Sequence, residues 1–198
     1  MNWEKNVRRV EPYVAVEQPK AEGVIKLNTN ECPYPPAPGV KRIAESLNCD
    51  KLRLYPDMNA EKLVNALADY YHVSPAQVFV GVGSDDVLAM AFLTFFNGGE
   101  PILFPDITYS FYDVWAELFR IPYKTCALDE NFCIKKEDYL TPNGGIIIPN
   151  PNAPTGVLED TGLFEEILAA NPDSVVIVDE AYVDIGRSRI INKKNHYD

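Results

Sequence analysis

Basic charge is scarce in this 198-residue chain: 18 Lys and Arg stand against 29 Asp and Glu, a formal charge of −11. That balance leaves no basic stripe for nucleic acid or anionic lipid, so neither is expected as a partner. Histidine is scarcer still, with His72 and His196 alone, and the four cysteines (Cys32, Cys49, Cys126, Cys133) show no C-x-x-C spacing. A zinc set is therefore excluded, and free thiols in a reducing cytoplasm are expected. Long apolar runs are missing too. Nothing approaches the roughly 18 residues of a spanning helix, and MNWEKNVRRVEPYV at the start lacks the apolar segment of a signal peptide. These absences predict a cytoplasmic protein without a membrane span. Two phosphate signatures are also absent: a dinucleotide fingerprint needs glycine where Asp86 stands, and a P-loop needs Gly-Lys-Ser/Thr.

What is present is enough apolar content, 46% of residues, to bury a core. The first 38 residues have little periodicity and crowd Pro33, Pro35, Pro36 and Pro38 together, which predicts an arm. Helical spacing follows over 39–48 and again in AEKLVNALADYYH, where Leu63, Leu67 and Tyr70 are expected to share a face. Beyond residue 77 the pattern changes to short apolar runs bounded by Gly, Pro or Asp: VFVGV at 78–82, PILF at 101–104, GGIIIPN at 144–150 and SVVIVD at 174–179. Such runs suit strands buried on both faces, and helical stretches at 84–96, 110–119 and 159–170 separate them. The alternation predicts an α/β fold, a mostly parallel sheet with helices on both faces, over residues 39–185.

Ligands of such sheets sit beyond the carboxyl ends of the strands. After VFVGV come Gly83, Ser84, Asp85 and Asp86. Ser84 is expected at a helix N-cap, where backbone N–H groups and the helix dipole could cradle an anion; a plain capped helix is the alternative. After PILF stands Tyr109, placed to stack on a flat ring or to pack in the core. Asn150-Pro151-Asn152-Ala153-Pro154-Thr155-Gly156 forms a turn whose asparagine could bond a ligand oxygen. Asp179, at the mouth of an apolar strand, wants a cation; Mg²⁺ and a pyridinium nitrogen both qualify, and the missing P-loop disfavours the first.

Taken in order, Gly-Ser-Asp-Asp, Pro-Asp-Ile-Thr-Tyr, Asn-Pro-Asn-Ala-Pro-Thr-Gly and Asp-Glu-Ala-Tyr resemble the cofactor-binding series of the fold-type I pyridoxal-phosphate (PLP) aminotransferases. Leu27-Asn28-Thr29-Asn30-Glu31-Cys32-Pro33-Tyr34 and Leu54-Tyr55-Pro56-Asp57 are similar to strings of the histidinol-phosphate aminotransferases. The resemblance implies a PLP-binding large domain and amino transfer between histidinol phosphate and a 2-oxo acid such as 2-oxoglutarate. It implies that Gly83, Ser84 and Asp85 hold the PLP phosphate, that Tyr109 stacks on the ring, and that Asp179 pairs with the pyridine nitrogen. Tyr182 and Asn152 would bond the ring O3′, with Ala153 standing where many relatives have asparagine. Tyr55 would reach a partner's cofactor phosphate in a homodimer, and Asn30, Glu31 and Tyr34 would fold over the substrate. A threonine-phosphate decarboxylase shares these motifs and is the nearest alternative activity. The family's Schiff-base lysine lies beyond the Asp-Glu-Ala-Tyr strand in a Ser-Lys motif, and no such motif follows Asp179. The tail 186–198 is polar and departs from the family pattern, so a truncated, inactive product, arising from a frameshift near residue 185, is the expectation.

Overall fold

The computed structural model describes residues 5, 7–11 and 23–184, so the tail expected over 186–198 and much of the arm lie outside the described residues. The chain divides into two units, one spanning 14–63 and the other the remainder. In the first, helix α1 (Pro38–Glu45) starts with proline at its opening turn, where the missing N–H costs nothing. A 3-10 turn over Cys49–Arg53 follows, capped by the Asn48 side chain, which accepts from the Asp50 amide. Neither element buries a residue.

Helix α2 (Glu61–Tyr71) begins where the Asp57 carboxylate accepts from the amides of Asn59 and Glu61, at 3.0 and 2.7 Å. The face expected from Leu63, Leu67 and Tyr70 is not the buried one: Leu63 and Tyr70 are exposed, and Ala68 is buried. Two apolar stripes overlap on this helix, and the one through the small Ala68 is the one that packs inward.

The larger unit is built on a four-stranded sheet of β1 (Ile102–Pro105), β2 (Tyr123–Cys126), β3 (Ile146–Pro149) and β4 (Val176–Asp179). Their order is β2-β1-β3-β4 and every pairing is parallel, as the alternating pattern predicts. Side chains alternate between faces along each strand. Ile102, Phe104 and Ile147 pack on one face against α3 (Gly83–Phe95) and α4 (Tyr112–Phe119). Leu103, Ile146 and Ile148 pack on the other against Phe164 and Ile167 of α5 (Thr161–Ala170). Helices fall on both faces because the chain steps from β1 to β2 in one direction and from β3 to β4 in the other. Right-handed crossovers then carry α4 and α5 to opposite sides. An aromatic cluster of Phe92, Phe96, Phe104, Tyr112 and Trp115 fills the α3/α4 side, with ring centroids 5.1–6.2 Å apart. Strand β3 enters tightly: a Cβ on Gly144 would sit 2.1 Å from the Glu100 carbonyl oxygen, so only glycine fits there.

Two sequence expectations need correction. Residues 78–82 form no strand; among the described residues no ladder partner lies beside them, and Phe79 and Val82 are 73% and 90% exposed. Apolar, β-branched composition alone does not make a strand without a partner. Strand β2, Tyr-Lys-Thr-Cys, carries no apolar run and is exposed at three of its four positions, so its sequence hides it. No helix among the described residues is long and apolar enough to cross a membrane.

Candidate functional site

The connection after β1 runs towards β2 and the one after β3 towards β4, in opposite directions, and a crevice opens where they part, above the carboxyl ends of β1 and β3. A cleft of about 110 Å³ lies there, lined by Ser84, Tyr109, Pro149, Pro151, Ala153, Asp179, Ala181 and Tyr182. Four segments more than twenty residues apart thus meet at one point: the start of α3, the loop after β1, the turn after β3 and the end of β4.

At α3 the helix opens at Gly83, so Ser84 lies inside the first turn and does not cap it; Val82 holds the cap position with no side-chain bond. The φ of +85° at Gly83 is left-handed backbone that a side chain would strain, and it turns the chain sharply into the helix. The first N–H groups of any helix lack partners within it and face outward with the positive end of the dipole. Two acids beside such a site would repel an anion. The structure gives both carboxylates other work: Asp85 Oδ1 accepts from the Tyr109 hydroxyl at 2.9 Å, and Asp86 Oδ2 accepts from the Val82 amide at 3.3 Å.

Tyr109 precedes α4, with its ring edge-on to Tyr112 (5.7 Å) and tilted against Phe111 (5.6 Å). It is partly buried and lines the cleft, so packing and ligand contact coexist in one side chain. The turn after β3 is held from within. Asn150 exchanges bonds with the Glu159 backbone, Asn152 N–H donates to the Val157 carbonyl, and the Gly156 amide donates to the Asn152 carbonyl. The Asn152 side chain is buried, and its amide donates to the Ile107 carbonyl at 2.9 Å, tying the β3 turn to the β1 loop. Asn152 Oδ1 and Thr108 Oγ1 are both buried without a hydrogen-bond partner.

Asp179 ends β4. Its Oδ2 accepts from the Tyr112 hydroxyl at 2.9 Å and its Oδ1 from the Ala181 amide at 3.1 Å. Burial, reinforced by the Asp179 charge and hydrogen bond and then by Tyr109, holds the Tyr112 phenol far above its ordinary range. Tyr112 therefore stays a donor and Asp179 the acceptor. Sequence reasoning passes over Tyr112; the available signal is its position three residues after Tyr109 at a helix start. Among the described residues, those lining the cleft include no lysine, arginine or histidine. Tyr55, Asn30, Glu31 and Tyr34 belong to the unit 14–63; Tyr55 and Tyr34 are 92% and 78% exposed, and Lys26 forms an ion pair with Glu31 at 2.5 Å.

Comparison with known proteins agrees with this architecture. The family model for aminotransferase class I and II matches residues 22–195. A histidinol-phosphate aminotransferase of Pseudomonas putida (strain W619) is 53% identical over 197 residues, covering 99% of this chain and 56% of that protein. The chain spans about half the length of the curated relatives it matches. Among solved structures, the histidinol-phosphate aminotransferase from Clostridium acetobutylicum aligns with a TM-score of 0.68 at 26% identity, over 78% of this chain and 46% of that one. The enzyme of that name from Sinorhizobium meliloti, solved in complex with pyridoxal-5′-phosphate, gives 0.70 at 22% identity, over 77% and 42%.

Proposed function

Because the chain belongs to the class I and II aminotransferase family, we propose that it forms the cofactor-holding portion of a cytoplasmic, homodimeric histidinol-phosphate aminotransferase, which moves an amino group between histidinol phosphate and 2-oxoglutarate. The observation that carries this reading is the convergence of Ser84, Tyr109, Asp179 and Tyr182 on one cleft beyond the strand ends. Those residues fit PLP. The α3 N-terminus offers N–H groups and the Ser84 hydroxyl to a phosphate, with Gly83 and the Asp85 backbone at the same turn. Tyr109, which lines the cleft, would stack on the ring, and Asp179 would offer its carboxylate to a pyridinium nitrogen. Tyr182, which lines the same cleft, would bond the ring O3′. Asn152 is the less direct donor, since its amide is engaged by Ile107 and its unpartnered Oδ1 is an acceptor.

When bound, PLP supplies an aldehyde that takes up an amine and a ring that withdraws electrons from the carbon bearing it. This chain's residues bind the phosphate, fix the ring plane and keep the pyridine nitrogen protonated. Tyr55 serves the partner's phosphate, and Asn30, Glu31 and Tyr34 serve the substrate in the same reading. The chain spans about half the length of its curated relatives, so the roles proposed for its residues are those of binding and orienting PLP.

Equilibrium dialysis with PLP tests this. Saturable binding is expected, weakened at least about tenfold by Asp179→Ala, since a charge-assisted hydrogen bond contributes about 1.5–3 kcal/mol. Absence of saturable PLP binding, or binding that Asp179→Ala leaves unchanged, would overturn the proposal.

A further inference from the structure

The Asp179 carboxylate is fixed from two directions. The Ala181 amide holds Oδ1 from the chain that follows β4, and the Tyr112 hydroxyl holds Oδ2 from the first residue of α4, on a different element. Tyr112 has no exposed surface, and its ring is wedged between Phe92 and Phe104. A tyrosine so enclosed cannot swing, so the direction of its O–H is set by the core. A phenylalanine would fill the same space; the hydroxyl is what distinguishes the residue, and its partner is Asp179.

We infer that Tyr112 is a positioning residue for the cofactor, holding the Asp179 carboxylate so that its remaining lone pairs meet the pyridine nitrogen. This rests on the PLP reading above and deepens it. One consequence is that the same short segment serves the ring twice: Tyr109 covers its face, and Tyr112, one turn on, orients the acid at its edge. Tyr109 is in turn held by Asp85, so ring cover and ring acid are both set by tyrosine–aspartate hydrogen bonds from the start of α4.

The experiment measures, on the whole chain, the affinity of PLP and of its 1-deaza analogue, in which the ring nitrogen is replaced by C–H. The ratio of the two isolates what the nitrogen contributes, and any loss of folded protein cancels within each variant. The wild-type chain is expected to prefer PLP, and Asp179→Ala to abolish the preference. Tyr112→Phe should reduce it about tenfold, the scale of one hydrogen bond to a charged group. Tyr112→Phe with the wild-type ratio overturns this inference alone. A wild-type chain that binds both ligands equally removes the Asp179 assignment and Tyr112 with it. A chain that binds neither removes the PLP reading itself.

Discussion

Asp85 illustrates how a single side chain can be misread from its charge. Beside a phosphate cradle a carboxylate is unfavourable, yet its oxygen is occupied by the Tyr109 hydroxyl, and the residue acts through that bond. The bond is exposed, so its worth is at the modest end of the range for hydrogen bonds, about 0.5–1.5 kcal/mol. Asp85→Ala should therefore weaken PLP binding by about two- to tenfold, whereas Asp85→Asn, which keeps an acceptor and removes the charge, should lose less. Titration of both variants checks this, and an alanine variant as tight as the wild type would show that Tyr109 needs no anchor. Thr108, the neighbour of Tyr109, is a second residue whose chemistry the sequence does not advertise: its hydroxyl is buried at the same loop without a partner.

Among the elements, the one that sets the far end of α5 is held by a side chain. Asn171 is buried at the helix end; its amide donates to the Tyr139 and Ile167 carbonyls, and its oxygen accepts from the Asn143 amide. Removing it strands the buried Tyr139 and Ile167 carbonyls, each costing about 1–3 kcal/mol if no water replaces the bond, while the Asn143 amide keeps its bond to the Thr141 carbonyl. Asn171→Ala should lower the unfolding free energy by about 3 kcal/mol in urea, and a loss under about 1 kcal/mol would mean the loop rearranges to satisfy itself. Element type was otherwise legible: β1, β3, β4 and α3–α5 all declare themselves by apolar runs or helical spacing, β1 and β3 being buried throughout and β4 half-buried. β2 was illegible because it lies at the sheet edge, where backbone pairing with β1 and not side-chain burial makes the strand. Residues 78–82 failed in the opposite sense, carrying a strand's composition without a strand's partner. In the site, Ser84, Tyr109, Asp179 and Tyr182 could be named because each follows a strand or opens a helix. Tyr112 could not, since a tyrosine in an aromatic helix reads as core until the bond to Asp179 is seen.

Across the whole molecule, two long-range properties oppose each other. The net charge of −11 repels copies of the chain, while Phe79 and Val82 leave apolar surface on the 78–82 segment. Exposed apolar surface of this kind invites association between chains. Repulsion between exposed charges is screened over about 30 Å at 0.01 M salt but only about 3 Å at 1 M. Raising the salt should therefore remove the repulsion and leave the apolar attraction intact. The three ion pairs seen among the described residues all involve at least one well-exposed partner and would lose little on screening. Light scattering by the polypeptide is accordingly expected to rise as NaCl goes from tens of millimolar to about 1 M. In the double variant Phe79→Lys with Val82→Lys that rise should largely disappear, because the charges sit on the segment itself, even though they reduce the net negative charge. A double variant that associates as strongly as the parent at every salt concentration would place the contact elsewhere on the surface.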